Sequence, residues 1–85
     1  MKLKSVISCI GLSVKSEIGK DNNHFYKISV DQDGEAGTLP MSEDAFRSIE
    51  NSFKKYSPTQ LTVEYNDQYK SLRVIGVSIV FRQYI

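Results

Sequence analysis

Two long runs of alternating residues, one at each end of the chain and each broken by a single glycine, restrict what this sequence can fold into. In residues 2–15, Val6, Ile10, Leu12 and Val14 share one parity among Ser8, Ser13 and Lys15, while Leu3, Ile7 and Cys9 lie on the other. Alternation over such a length predicts a strand. A glycine in its middle, Gly11, predicts a bulge or a sharp bend. Residues Lys70 to Arg82 repeat the pattern around Gly76, with Leu72 and Val74 before it and Ile75, Val77, Ile79 and Phe81 around and after it. A strand that is apolar on both parities and carries a central glycine can serve two sheets at once, which is how small barrels turn corners.

Between these runs the chain reads in short elements. Lys15 to Asn23, with Gly19, Lys20, Asp21 and Asn22, has the chemistry of a loop. His24 to Asp31 alternates, with Tyr26, Ile28 and Val30 on one face and Phe25, Lys27 and Ser29 on the other. Asp33-Gly34 predicts a tight turn into a short strand, Glu35 to Leu39, that Pro40 closes. Ser42 is placed to cap a helix, with Glu43 and Asp44 in the first turn, Ala45, Phe46, Ile49 and Phe53 at helical spacing, and Lys54 and Lys55 in the last turn. Ser57-Pro58 ends it. Thr59 to Tyr65 alternates again, with Leu61, Val63 and Tyr65 inward, and Asn66-Asp67-Gln68 is a turn. The order predicts one domain over residues 1–85: a mainly β fold, a five-stranded antiparallel oligonucleotide/oligosaccharide-binding (OB)-like barrel with one helix between strands 3 and 4. Another form of helix-on-sheet α+β packing is the alternative.

Residues for catalysis are missing. The one histidine, His24, has no nucleophile partner in any recognisable pattern, and one histidine with one cysteine cannot make a zinc set. Gly34 and Gly37 flank a turn without a following Gly-Lys-Ser or Gly-Lys-Thr, and Asp31 and Asp33 open a calcium-type loop that does not continue. The expectation is a non-enzyme without metal or cofactor. Cys9, in an apolar run and without a disulfide partner, reads as a buried small hydrophobe in a reducing compartment. The opening run, diluted by Ser5, Ser8, Gly11 and Ser13, fits a first strand better than a signal peptide, and it is too short to span a bilayer. A cytoplasmic protein with no membrane partner is expected.

What remains is a set of aromatic and basic residues away from the predicted core. Binding to a single strand needs cations along the phosphates and flat side chains under the bases. Phe25 and Lys27 face away from the core parity of strand 2, Lys15 and Lys20 fall in the loop before it, and Tyr69, Lys70 and Arg73 fall around the last turn. Strands 2 and 3 with those two loops are the usual ligand face of an OB barrel. The acidic residues Asp31, Asp33, Glu35, Glu43, Asp44 and Glu50 collect instead in the turn and helix, so a chain of net charge +1 can still present one basic face. Taken singly, the same residues also read as solvated charges and rim hydrophobics.

The segments NNHFYKISVD and SPTQLTVEYNDQYKSLRVIGVSIV, with the chain length and strand order, resemble the small single-stranded-DNA-binding proteins of filamentous phages, the gene V type. That resemblance implies an OB-like homodimer coating phage or plasmid replication intermediates in the bacterial host cytoplasm. It also implies that Phe25, Tyr26 and Lys27, and Tyr69 with Lys70, contact the strand. This chain differs in its helix and in having lysines, not arginines, in the first loop. Single-stranded DNA is the expected partner, with RNA as a competing ligand. A small protein-interaction module or inhibitor without nucleic-acid binding is the other class, and the near-neutral charge suits it.

Overall fold

The computed structural model describes residues 1–80. In chain order it forms β1 (Lys2–Ile18), a 3-10 turn (Lys20–Asn22), β2 (His24–Gln32), β3 (Glu35–Met41), α1 (Glu43–Ile49), β4 (Ser57–Asn66) and β5 (Ser71–Ile79). Among the described residues the protein is mainly β, with one α-helix and five strands in one sheet. The strands are bonded in the order β1-β2-β3-β5-β4, with β4 returning to β1.

β1 makes this closure possible. Its first part, Lys2 to Gly11, pairs with β4, and its second, Ile10 to Ile18, pairs with β2. The handover comes at Gly11, where the register against β2 slips and Leu12 becomes the extra residue of a bulge. A side chain there has no room: a Cβ on Gly11 would lie 2.8 Å from Cε2 of Phe53 and 3.0 Å from Oγ1 of Thr59. The bulge also corrects the expected facing. In the first half the inward residues are Ile7 and Cys9, while Val6 is 63% exposed. Counting alternation across a bulge mixes two faces, because the extra residue reverses the parity. β5 has the matching irregularity at Ile75, beside Gly76, where its register against β4 slips between Thr62 and Val63. β5 ends at Ile79; the rest of the expected strand, Phe81 and Arg82, lies outside the described residues.

The expected sheet was antiparallel throughout. Every pairing is, except that β3 meets β5 in parallel at Met41↔Val74. The cause is counting: strands that alternate in direction around a ring of odd number leave one neighbouring pair running the same way. Among the described residues that is the one bridge between β3 and β5, so β3 is an edge over most of its length. This explains why Pro40 does not close the strand as expected but pairs opposite Lys27 inside it, since an edge strand tolerates a residue without an N–H. The Asp33-Gly34 turn forms as expected, with φ of 55° and 86°, the two positive values of a tight hairpin turn.

The helix is shorter than its pattern. Ser42 caps it, its Oγ accepting from the Ala45 N–H at 3.2 Å, and Ala45, Phe46 and Ile49 are buried. It ends at Ile49 instead of running to residue 55. Phe53 therefore lies beyond it, partly buried over Gly11, and Lys54 and Lys55 do not sit in a last helical turn. The chain must leave the helix early to reach β1, where the Tyr56 N–H donates to the Gly11 carbonyl at 2.7 Å. Ser57 and Pro58 already belong to β4. The core holds Ile28, Leu61 and Val74 with no exposed surface, ringed by Cys9, Val30, Met41, Val63 and the helix residues. Burial raises the Cys9 thiol above its ordinary pKa, so it stays protonated, and its S–H points to the Thr59 carbonyl at 3.7 Å.

Candidate functional site

The register decides which side chains share the outer face. Phe25, Lys27 and Ser29 project outward from β2 because Tyr26, Ile28 and Val30 are buried. Opposite them on β1 stand Glu17, Lys15 and Ser13, and on β3 Pro40 faces Lys27 while Thr38 faces Ser29. Ser29 and Thr38 join hydroxyls at 2.9 Å. Phe25 is 51% exposed, yet its position is defined: its ring packs over Gly19, where an added Cβ would meet Cε2 at 2.5 Å. Gly19→Ala is therefore expected to displace the Phe25 ring while changing stability little, because both residues lie at the hairpin tip. A melt near that of the unsubstituted protein, with a change in the Phe25 ring resonances by NMR, is the check.

Two adjoining depressions mark the surface. The larger, about 410 Å³, is walled by His24 to Lys27 of β2, by Pro40 to Glu43, and by Arg73 of β5. The smaller, about 260 Å³, lies between Lys2, Glu64, Asn66, Tyr69, Ser71 and Arg73. Arg73 lines both. The structure thus brings Phe25, Lys27 and Arg73 to one groove and Tyr69 to its neighbour. Asn66 shapes the Tyr69 turn, its Oδ1 accepting from the N–H groups of Gln68 and Tyr69.

Three expected site residues stand apart from these grooves. Lys15 is not in a loop: β1 continues through it, and it pairs across from Lys27 on the outer face. The loop prediction missed this because a polar strand on a solvated hairpin has no apolar alternation to reveal it. Lys20 sits in the 3-10 turn at the hairpin tip, and Lys70 in the β4–β5 turn with φ of 50°. Both are exposed and line neither depression. Conversely, Lys2, His24 and Glu43 line the grooves although no local pattern singled them out. For Lys2 the only possible signal was the register that sets it opposite Asn66, which is a long-range property.

The face is not purely basic. Lys27 Nζ meets Glu17 Oε2 at 3.3 Å, and Arg73 meets Glu64 Oε1 at 3.7 Å. The Lys27 and Glu17 side chains are both about half exposed, and pairs of that kind contribute little, on the order of 0–1 kcal/mol. Lys27 can therefore exchange its carboxylate for a phosphate at small cost, whereas Glu64 is buried and would hold Arg73 more firmly. Inside the larger groove the Tyr26 hydroxyl donates to Glu43 Oε1 at 2.9 Å. That hydrogen bond, with burial and the Glu43 charge behind it, raises the Tyr26 pKa, so the phenol remains a donor. Among the described residues no group of three or more His, Cys, Asp or Glu gathers as metal ligands, and no helix is long and apolar enough to cross a membrane.

Comparison with known proteins yields no matching family model and no matching curated protein.

Proposed function

We propose that this protein binds single-stranded nucleic acid, DNA first and RNA as a competitor, on the outer face of β2 and β3 and the adjoining β4–β5 turn, and that its closed sheet is an OB-type barrel. One observation carries the proposal: an exposed aromatic, Phe25, lines the same groove as Lys27 and Arg73. A base stacks on the ring, and the two cations hold phosphates on either side. The strand order and the parallel β3–β5 bridge support the OB reading, because they close five strands into one ring. Two exposed leucines, Leu3 and Leu72, which flank the half-buried Tyr65 across three strands, support a homodimer that links two such faces.

The test is a titration of a labelled single-stranded oligonucleotide at several salt concentrations. Each phosphate held should contribute a slope of about 0.7 in log affinity against log salt. Lys27→Ala or Arg73→Ala should flatten that slope by about this amount and matter less at high salt. Absence of binding at low salt overturns the proposal. In that case the open edge of β3 favours the second reading, a module that adds a partner's extended strand, whose affinity changes little with salt.

A further inference from the structure

A carboxylate in a groove meant for a polyanion is a liability unless it has a task, and Glu43 is such a carboxylate. It faces the groove from the start of α1, next to Ser42, whose N–H is bonded to the Val74 carbonyl at 2.9 Å, so its backbone is tied to the sheet. Its side chain is also held. Oε1 accepts from the Tyr26 hydroxyl at 2.9 Å, and the Tyr26 ring is itself buried against Phe46 with centroids 4.8 Å apart. Arg47 lies nearby, its guanidinium carbon 6.0 Å from the Tyr26 ring centroid, but its hydrogen bonds, at 3.3 and 3.4 Å, go to the two oxygens of Glu50. Glu43 is thus a held acceptor lining the same groove as Phe25, Lys27 and Arg73.

We propose that Glu43 reads the base stacked on Phe25 and gives this groove a preference for guanine; the inference rests on the nucleic-acid reading above. An ionised carboxylate only accepts, and each of its oxygens has room for a second donor. Guanine is the base whose pairing edge presents two adjacent donors, N1–H and the N2 amine. Thymine offers one N–H between two carbonyl oxygens. Adenine and cytosine each set an amine beside an acceptor ring nitrogen. Those acceptors face the carboxylate with like partial charge, so these bases gain less. Binding as a whole stays tolerant of sequence, because stacking accepts any base, and the preference is confined to one position per site.

The experiment compares oligothymidylates with and without one central guanine, together with a third in which hypoxanthine, which lacks the N2 amine, replaces it. The unsubstituted protein is expected to favour the guanine strand by roughly five-fold or more, the lower range for one good base contact. Hypoxanthine should lose much of that preference, and Glu43→Gln should bring the guanine-to-thymine ratio close to one. Glu43 is exposed, and a thermal melt of Glu43→Gln close to that of the unsubstituted protein shows that its fold is kept. Equal, salt-sensitive binding of all three strands by the unsubstituted protein overturns the inference alone. So does a preference that survives Glu43→Gln. Failure to bind any strand overturns the nucleic-acid reading and the inference together.

Discussion

Leu61→Ala is expected to destabilise the fold by about 3 kcal/mol, within the roughly 2–5 kcal/mol of large-to-small changes in packed cores. Leu61 has no exposed surface. It lies in the middle of β4, where the register sets it between Ile7 of β1 and Val77 of β5. Truncation removes its contacts on the central row of the sheet, and strands hydrogen-bonded on both sides cannot collapse into the space. In a domain of this size such a loss should lower the melting temperature by more than about 10 °C. Gln60→Ala, one residue away and exposed, should stay within about 0.5 kcal/mol of the unsubstituted protein. The pair tests the register directly: a slip of one residue would exchange the two positions between faces. Equal melts for the two variants would refute the pairing of β1, β4 and β5 described above.

Phe25→Ala should weaken binding of a single strand by about ten-fold or more, since stacking on one aromatic is worth roughly 1–3 kcal/mol per base. The salt slope should stay nearly unchanged, because no cation is removed. Stability should also change little, the ring being half exposed and lying over Gly19 near the hairpin tip. This pattern is opposite to that of Lys27→Ala, which should lower the slope and weaken binding less as salt rises. If Phe25→Ala and Lys27→Ala both bind like the unsubstituted protein while that protein binds well, the outer face of β2 is not the interface. The smaller depression around Tyr69 and Lys2 then becomes the place to look.

The strand His24 to Gln32 was legible because one face is core and the other solvent, so period two is written in the residues themselves. The Asp33-Gly34 turn and the Ser42 cap were legible for a related reason: each is satisfied within four residues of chain. Phe25 and Lys27 could be placed on the outer face from the same parity. The end of the helix was not legible, because Phe53 keeps helical spacing from Ile49 whether or not the backbone between them is helical, and the Tyr56–Gly11 bond that draws the chain away is long-range.

By itself the sequence determined a mainly β chain of five strands with one capped helix, the handover residue Gly11, and the outward set on β2. All of these rest on local alternation, turn chemistry and the volume of one missing side chain. Tertiary structure alone decided that β3 meets β5 in parallel, that β1 runs on past Lys15 to Ile18, and that Arg73 joins two grooves to which Lys2 and Glu43 also come. Those outcomes depend on register between segments far apart in the chain. A shift of one residue would leave every local pattern intact while carrying each of these side chains to the opposite face.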